Sequence, residues 1–394
     1  MRLINQIVIY SYILILLSGL YWTFPVQPKF IYLGFIAVSF ILLLLKGNIS
    51  IQSNRFLSFV LFYSILLIYM LFHILFVSEN IESIDLFFSH LYCLCIFVLF
   101  YLLVHNSSIP NILEKSIFLV RLVVYYSAML MFFEVFIPGG SQYVENAGRG
   151  DAHYNNANSA ALTLALSAGL FIRTIKNNIA LNLTYFIVIL GIIATFSKAG
   201  GILFFILFMY QLWQNDYKNS GVSRLNFLVL FVPLLILFIS VLDIFLQNID
   251  LLEVIGTNSY NRISTFDLAD ESFRSRINVL PFAINKFLMS PLYGHGVGYG
   301  YVWDYNYASH NIFLFYMVDL GIIGLGLILA LYYLIYRVKS YQTRVFPYLL
   351  FVSSFFSHNT MTRVPIYILF ALHFLMENKE NTNIDNNTES VNGT

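Results

Sequence analysis

The sequence predicts an all-α protein, a polytopic bundle of about eleven or twelve transmembrane helices. Of its 394 residues, 59% are hydrophobic and only 10% are charged, an apolar share well above that of soluble domains. Nearly all the apolar residues fall in runs close to the roughly 20 helical residues that cross a hydrocarbon core of about 30 Å. The lipid bilayer is therefore the expected surrounding of the chain, and a formal net charge of +1 gives no basic field for nucleic acid.

The apolar runs give the transmembrane segments in chain order. They lie near residues 4–22, 30–45, 56–77, 84–104, 116–137, 158–172, 179–196, 200–213, 225–245, 312–336, 345–357 and 364–376. The segment from 200 and the last two are short, so one of them can be re-entrant and the total can fall to eleven or ten.

Lysine and arginine predict which side each loop faces, because cytoplasmic loops carry the excess of these residues. With the N-terminus inside, the short outer loops hold only Lys29, Arg149, Lys198 and Arg363. The inner side then holds Arg2, Lys46, Arg55, Lys115, Arg173, Lys176, Lys218, Arg224, Arg337, Lys339, Arg344 and Lys379. This asymmetry predicts an even number of crossings, with both termini in the cytoplasm.

One connection, residues 247–309, is long, and loops of this length usually have a role. Apolar residues recur in it at three- and four-residue spacing, which predicts an amphipathic helix bent at Pro281: Phe273, Ile277, Leu280, Ile284 and Leu288. We expect a single integral membrane domain over residues 1–376, with this loop outside. Residues 377–394, rich in Asn, Thr, Glu and Ser, predict a disordered cytoplasmic tail.

Four polar stretches face the outer side in this topology. They are GRGDAHYNNAN from Gly148, FSKAGG from Phe196, FRSRINVLPFAINKFLMSPLYGHGVGYG from Phe273, and SHNIFLFYMVDLGIIGLGLIL from Ser309. Together they predict an outer cavity lined by cations, a histidine and asparagines. Such a cavity suits a substrate with an anionic head and a lipid tail.

The glycines at 294, 296, 298 and 300 alternate strictly within the third stretch. This spacing is not GxGxxG, and no strand–turn–helix context surrounds it, so it does not indicate a phosphate-binding loop. We interpret the glycines as structural, allowing a loop to fold tightly under the amphipathic helix.

His310 stands where irregular chain gives way to a long apolar helix, with Ser309 before it as the expected N-cap. Two interpretations are open. The residue can cap and pack, or it can act as a general base on a sugar hydroxyl, since histidine ordinarily titrates near neutral pH.

Arg276, Lys198 and Arg149 are cations of the outer stretches. A guanidinium can bind a diphosphate bidentately, whereas lone cations at a membrane interface commonly anchor to lipid headgroups. The residue types and spacing leave both roles open.

Several function classes lack support in the sequence. No HExxH, paired CxxC, Walker loop or GxSxG elbow occurs, and Cys93 and Cys95 lie inside an apolar run. Arg121, Glu134 and Asp243 are scattered and form no acidic ladder of the kind expected in a proton-coupled transporter. We expect neither a metal nor a cofactor.

The second half of the chain resembles a known family. SRINVLPFAINKFLMSPLYGHGVGYG followed by SHNIFLFYMVDLGIIGLGLIL is similar to the signature of the bacterial O-antigen polymerase and O-antigen ligase superfamily. That signature has an Arg-led helix, a Pro-Leu-x-Gly-x-Gly turn, and a His-Asn that opens a helix with Gly-Ile-x-Gly. FSKAGGIL resembles the family's Ser-x-Ser-Arg-x-Gly turn, and YNNANSAALTLAL its Asn-containing helix start. The resemblance covers residues 149–329 and rests on the order and spacing of several motifs.

The resemblance implies a GT-C-like membrane fold and metal-independent, inverting glycosyl transfer at the outer leaflet of the bacterial inner membrane. The donor would be an oligosaccharide on undecaprenyl pyrophosphate. The family pattern places His310 at the catalytic centre and assigns Arg276 to the donor pyrophosphate.

Other residues of the matched motifs become candidates for substrate binding. Lys198 stands where most members have Arg, which keeps a cation but loses the bidentate fork. Arg149 falls in a region where a family Arg is expected. The same motifs contain Asn158 and Asn311, and Arg274 directly precedes the Arg-led helix motif.

Two enzymes of this superfamily fit the sequence. A polymerase joins lipid-linked repeat units to one another, whereas a ligase transfers polysaccharide to lipid A core. We favour the polymerase, because the chain is compact, aromatic-rich and ends in a simple polar tail. Its expected partners are a chain-length regulator and a repeat-unit flippase. A flippase or other transporter is the alternative from a different class, and it predicts charged pairs through both leaflets.

Overall fold

A computed structural model describes residues 2–51, 53–78, 81–136, 151–154, 156–213, 271–303, 310–338 and 340–392. Within these ranges the regular structure is helical and contains no strand, which confirms the predicted all-α bundle. Among the described residues, five helices are long and apolar enough to cross a membrane, as expected of a multi-pass membrane protein. The predicted segment 225–245 and loop residues 247–270 and 304–309 lie outside the described residues.

Thirteen α-helices are described. They are α1 (Arg2–Ser11), α2 (Pro28–Lys46), α3 (Asn54–Phe76), α4 (Glu82–His105), α5 (Ile112–Phe136), α6 (Ala157–Phe171), α7 (Asn178–Ala194), α8 (Lys198–Trp213), α9 (Glu271–Met289), α10 (Tyr299–Val302), α11 (Ile312–Tyr336), α12 (Phe346–Ser353) and α13 (Val364–Asn392). A π-helical turn, Tyr12–Leu17, continues α1, and a 3₁₀ turn, Thr360–Thr362, precedes α13.

The chain forms two compact units. The first contains Met1–Tyr12, Val26–Ser116 and Glu271–Thr394, and the second contains Ile13–Pro25 and Ile117–Asp270.

Helix α4 is central to the first unit. It packs against α2, α3 and α13, while α3 and α9 pack against α11. Of the five long apolar helices, α4 is the most buried: 61% of its most apolar 18-residue stretch is buried inside the protein. Helix α4 is therefore surrounded mostly by other helices and not by lipid.

A buried polar network ties four helices of this unit together. Tyr63 on α3 hydrogen-bonds through its hydroxyl to His90 Nδ1 on α4 and to the Tyr367 hydroxyl on α13, both at 2.6 Å. Tyr316 on α11 hydrogen-bonds to His90 Nε2. Both nitrogens of His90 are therefore satisfied, as a buried polar side chain requires.

Helix α13 continues past residue 377, into the stretch for which the sequence predicts a polar tail. Glu377 pairs with Arg55, and Glu380 accepts hydrogen bonds from the Ser340 hydroxyl at 3.0 Å and the Tyr341 N–H at 2.8 Å. Composition suggested a segment unable to bury a core, but these polar contacts hold its first turn against the bundle.

Small residues let the helices of the second unit approach closely. All but two of the 15 residues of α6 are buried, and the two that are not, Asn158 and Ser159, lie at its start. A Cβ built on Gly200 of α8 would lie 2.7 Å from the Ala161 Cβ of α6. Such close approach is typical of helix packing in membranes.

Candidate active site

His310 occupies a strained position at the start of α11. Its φ of 47° lies in the left-handed region, which non-glycine residues rarely adopt. The next residue, Asn311, is the N-cap of α11, and its Oδ1 accepts hydrogen bonds from the N–H groups of Phe313 at 2.9 Å and Leu314 at 3.2 Å. Asn311 therefore has the capping role predicted for Ser309, which lies outside the described residues. This role occupies the side-chain oxygen of Asn311, a candidate substrate ligand.

A second histidine lies beside His310. His358, in the connection between α12 and α13, has its ring centroid 5.5 Å from that of His310, at an interplanar angle of 58°. Its ring stacks on Phe315 of α11 at 5.5 Å and meets Tyr301 of α10 edge-on at 5.5 Å. Only 9% of His358 is exposed. Three segments distant in sequence thus form one aromatic cluster behind His310.

Tyr301 is fixed within this cluster. Its hydroxyl donates a hydrogen bond to the Oδ1 of Asn359 at 2.8 Å, and its ring packs on Phe315 at 5.0 Å. Burial raises the pKa of Tyr301 above its usual range, so the phenol stays protonated and remains the donor.

The electrostatics of the cluster keep His358 neutral. Burial, the largest cause, acts together with the nearby His310 and Arg363 to lower its pKa to about 3. At neutral pH the His358 imidazole therefore carries one proton and one lone pair.

His358 is not among the site residues predicted from the sequence, although a repeated tripeptide marks its position. The tripeptide Ser-His-Asn occurs twice, at 309–311 and at 357–359. The two histidines of these tripeptides lie next to each other in the structure. The two asparagines each accept a structural hydrogen bond: Asn311 caps α11, and Asn359 accepts from the Tyr301 hydroxyl.

The glycine run packs against a break in α11. Gly321 has φ 66° and ψ −161°, which are not helical angles. A Cβ on it would lie 2.3 Å from the Leu292 carbonyl oxygen, and a Cβ on Gly294 would lie 2.4 Å from the Asp319 carbonyl oxygen. The N–H of Gly296 donates to that Asp319 oxygen at 2.9 Å. These contacts support the structural interpretation of the alternating glycines, because only residues without a Cβ allow this approach.

Helix α9, whose sequence includes Arg274 and Arg276, packs against α11. Buried Val279 and Ala283 form a core cluster with Trp303 and Val318. By contrast the predicted apolar stripe is exposed: Leu280 by 42%, Ile284 by 40% and Leu288 by 63%. The smaller residues face the bundle and the larger ones face outward, as suits a helix at a lipid surface.

The second unit brings Lys198 and Asn158 to one end. Lys198 opens α8, whose N-terminus is capped by Ser197 through a hydrogen bond from the Gly200 N–H to its hydroxyl at 3.2 Å. Asn158 lies in the first turn of α6, which is capped by Asn156. Both side chains are exposed, and the contact between Gly200 and Ala161 sets the two helix starts side by side. Helix N-termini of this kind attract anions.

Arg149 lies outside the described residues. The chain that follows it is held against α5, because Glu134 accepts hydrogen bonds from the N–H groups of Asp151 at 3.1 Å and Ala152 at 2.9 Å. Among the residues that the structure describes, no group of three or more His, Cys, Asp or Glu is arranged to hold a metal.

A comparison with known protein families finds a match that includes most of these candidate site residues. Residues 183–329 match the family model described as O-antigen ligase, a segment that contains Lys198, Arg274, Arg276, His310 and Asn311. No curated protein matches the chain. The match implies an enzyme of the glycosyl-transfer type in the O-antigen pathway, acting in a membrane. The matched segment, residues 183–329, is therefore similar to the O-antigen ligase and polymerase superfamily.

Proposed function

We propose that the protein polymerises lipid-linked oligosaccharide repeat units into O-antigen or a related surface polysaccharide. The observation that carries this proposal is His310, a non-glycine residue held at φ 47° within the matched segment and beside a neutral histidine. Backbone strain of this kind persists only where the surroundings enforce it, and it clusters at functional sites.

The proposed reaction is one inverting displacement. The acceptor hydroxyl oxygen attacks the anomeric carbon of the donor, and a new glycosidic C–O bond forms. The bond from that carbon to the pyrophosphate oxygen breaks, and undecaprenyl pyrophosphate leaves with the electron pair. His310 takes the hydroxyl proton as general base. The substrate would bind with the acceptor and the pyrophosphate on opposite faces of the donor sugar.

The leaving group requires positive charge. A pyrophosphate departs readily once donors aimed at its oxygens stabilise the developing charge. Arg276 is proposed to bind the pyrophosphate bidentately, with Arg274, Lys198 and Arg149 adding charge. Asn158 and Asn311 are proposed to contact the sugars through their amides.

The reaction is proposed to occur at the outer leaflet of the bacterial inner membrane, with both termini cytoplasmic. The excess of lysine and arginine on the opposite side supports this orientation. A repeat-unit flippase would supply the donor, and a chain-length regulator would stop the reaction.

A ligase that transfers polysaccharide to lipid A core is the second candidate, favoured by the description of the matching family. The two functions differ in acceptor, not in the chemistry at the anomeric carbon. A flippase is less well supported, because the candidate cations lie in predicted outer segments and not through both leaflets.

The test is a gel profile of surface polysaccharide from cells that lack the gene. A polymerase predicts single repeat units on lipid A core and no ladder, with the ladder restored by the wild-type gene. Polymer that accumulates on the lipid carrier, with nothing attached to lipid A core, would instead identify a ligase.

A further inference from the structure

His358 is held rigidly, although it serves no obvious structural need. Its ring is stacked on Phe315 at 5.5 Å with an interplanar angle of 29°, and the Tyr301 ring meets it edge-on at 5.5 Å. The hydrogen bond from Tyr301 to Asn359 fixes the residue next to it. A phenylalanine would fill the same space.

The polar atoms of His358 are the unexplained feature. Its Nδ1 is buried and has no hydrogen-bond partner among the residues described. An unsatisfied buried nitrogen is unfavourable, and in native structures such a group calls for a specific reason. The nearest group that changes its own hydrogen-bonding capacity during the proposed reaction is His310, whose ring centroid is 5.5 Å away.

The pair has a defined charge pattern. His358 stays neutral, because burial and the positive Arg363 oppose a proton on it. When His310 takes the acceptor proton it becomes an imidazolium, which has two N–H donors and no acceptor. A neutral imidazole can accept a hydrogen bond from this cation, whereas Arg363 repels it. At 5.5 Å between ring centroids, the two imidazoles are close enough for rotation of the His310 ring to bring one of its nitrogens toward His358.

We propose that His358 is a positioning residue for His310, which orients its ring and accepts a hydrogen bond from the imidazolium that forms during glycosyl transfer. The inference rests on the proposed function, because it assigns His358 a part in the same step. His358 touches neither substrate nor leaving group in this account. It raises the proton affinity of the base through one hydrogen bond.

Other titratable and charged groups also surround the pair. Arg363 acts directly on His358, and Tyr301 is influenced by Asp319 of α11 and Glu82 of α4. These groups are unchanged in a His358 variant, so a shift in the pH profile reports on the histidine pair.

The test compares an apolar and a polar replacement. His358→Phe keeps the packing and removes the lone pair, whereas His358→Asn keeps an acceptor near the place of Nδ1. Full-length protein in lipid nanodiscs would be given lipid-linked repeat units extracted from cells lacking the gene. The rate of chain extension would be measured against pH and substrate concentration, with the thermal midpoint as a check on folding.

We expect H358F to lower kcat by about 100-fold, with KM changed less than about twofold and the acidic limb of the rate profile moved to lower pH. H358N should stay within about tenfold of wild type, with the acidic limb unmoved. Should H358F not fold, His358→Leu repeats the apolar arm of the comparison. The matched control is His73→Phe. His73 on α3 is also fully buried, and neither of its ring nitrogens has a hydrogen-bond partner among the described residues. The His73→Phe protein should extend chains at the wild-type rate.

Wild-type activity in H358F would overturn the proposal. So would equal losses in H358F and H358N with an unmoved pH profile, since that pattern belongs to a structural residue. Failure of the proposed function is a separate result, seen as no extension by the wild-type protein or as full activity in His310→Ala.

Discussion

The side-chain carboxyl of Asp319 accepts a hydrogen bond from the backbone N–H of Gly298 at 2.7 Å. Its other oxygen accepts from the N–H of Gly300 at 2.8 Å, and only 1% of Asp319 is exposed. One side chain of α11 thereby holds the glycine run that follows α9. Because α11 begins beside His310, the glycine run and the proposed base are held by the same helix.

Replacing Asp319 by Asn should destabilise the protein by about 1–3 kcal/mol, because the amide keeps only one acceptor for two buried N–H donors. Unfolding of the purified protein in mixed micelles with increasing SDS would measure the difference. Asp85→Asn is the control, since Asp85 lies exposed in the first turn of α4 and should change stability by less than about 0.5 kcal/mol. Equal stability of the two variants would contradict the assigned role of Asp319.

Gly321→Ala should be more harmful than other changes in the same helix. The new Cβ would meet the Leu292 carbonyl at 2.3 Å, and the positive φ of 66° is itself unfavourable for alanine. We expect a loss of about 2 kcal/mol or more in the free energy of unfolding. Gly326→Ala is a matched control in α11, because nothing lies within 4 Å of its Cβ position. The Gly326→Ala protein should have an unchanged free energy of unfolding or one raised by up to about 1 kcal/mol. If both variants lose the same stability, the close approach at Gly321 is not the cause of the loss.

The fold was predictable from the sequence because membrane helices are encoded locally. A run of about 20 apolar residues is enough to predict a membrane-spanning helix, and helices α2 to α5 and α11 coincide with such runs. The faces of α9 were harder to predict, because in lipid the larger apolar residues need not face the protein. Leu280 and Ile284 are exposed while Val279 and Ala283 are buried.

Tyr63→Phe should destabilise the first unit by about 1–3 kcal/mol, because His90 Nδ1 would lose its partner in a fully buried place. The same SDS unfolding experiment applies. Tyr92→Phe is the control, since Tyr92 on α4 is only partly buried and its hydroxyl has no partner among the described residues. If removing the Tyr63 hydroxyl has no larger effect than removing that of Tyr92, the network does not stabilise the bundle.

Lys198→Gln should lower kcat/KM for chain extension by about tenfold or more, because a cation at the start of α8 is proposed to stabilise the pyrophosphate. Lys198→Arg should keep the wild-type rate or exceed it, since a guanidinium adds the bidentate fork. Lys176→Gln is the control: Lys176 is exposed at the other end of the same unit, after α6 has ended at Phe171. If Lys198→Gln is as active as Lys176→Gln, Lys198 is an interfacial anchor.

Only part of the candidate site could be predicted from the sequence, because His310 and His358 are far apart along the chain. His310 and Asn311 were found because they begin a long apolar helix within a recognisable motif. His358 lies in a short connection whose one signal is the repeated tripeptide Ser-His-Asn, and the packing of α10 and α11 brings it to His310. Its partners Tyr301 and Phe315 are ordinary aromatic residues in a chain with 28 tyrosines and 39 phenylalanines, so nothing in the sequence distinguished them.

The protein is proposed to extend lipid-linked chains, with His310 as the general base. The most direct measurement reconstitutes purified wild-type and His310→Ala proteins in nanodiscs with lipid-linked repeat units and no lipid A core. We expect longer lipid-linked chains with the wild-type protein and a reaction at least about 100-fold slower with His310→Ala of equal thermal stability. No chain growth by the wild-type protein until lipid A core is added would contradict the polymerase assignment, and undiminished growth with His310→Ala would contradict the role of His310.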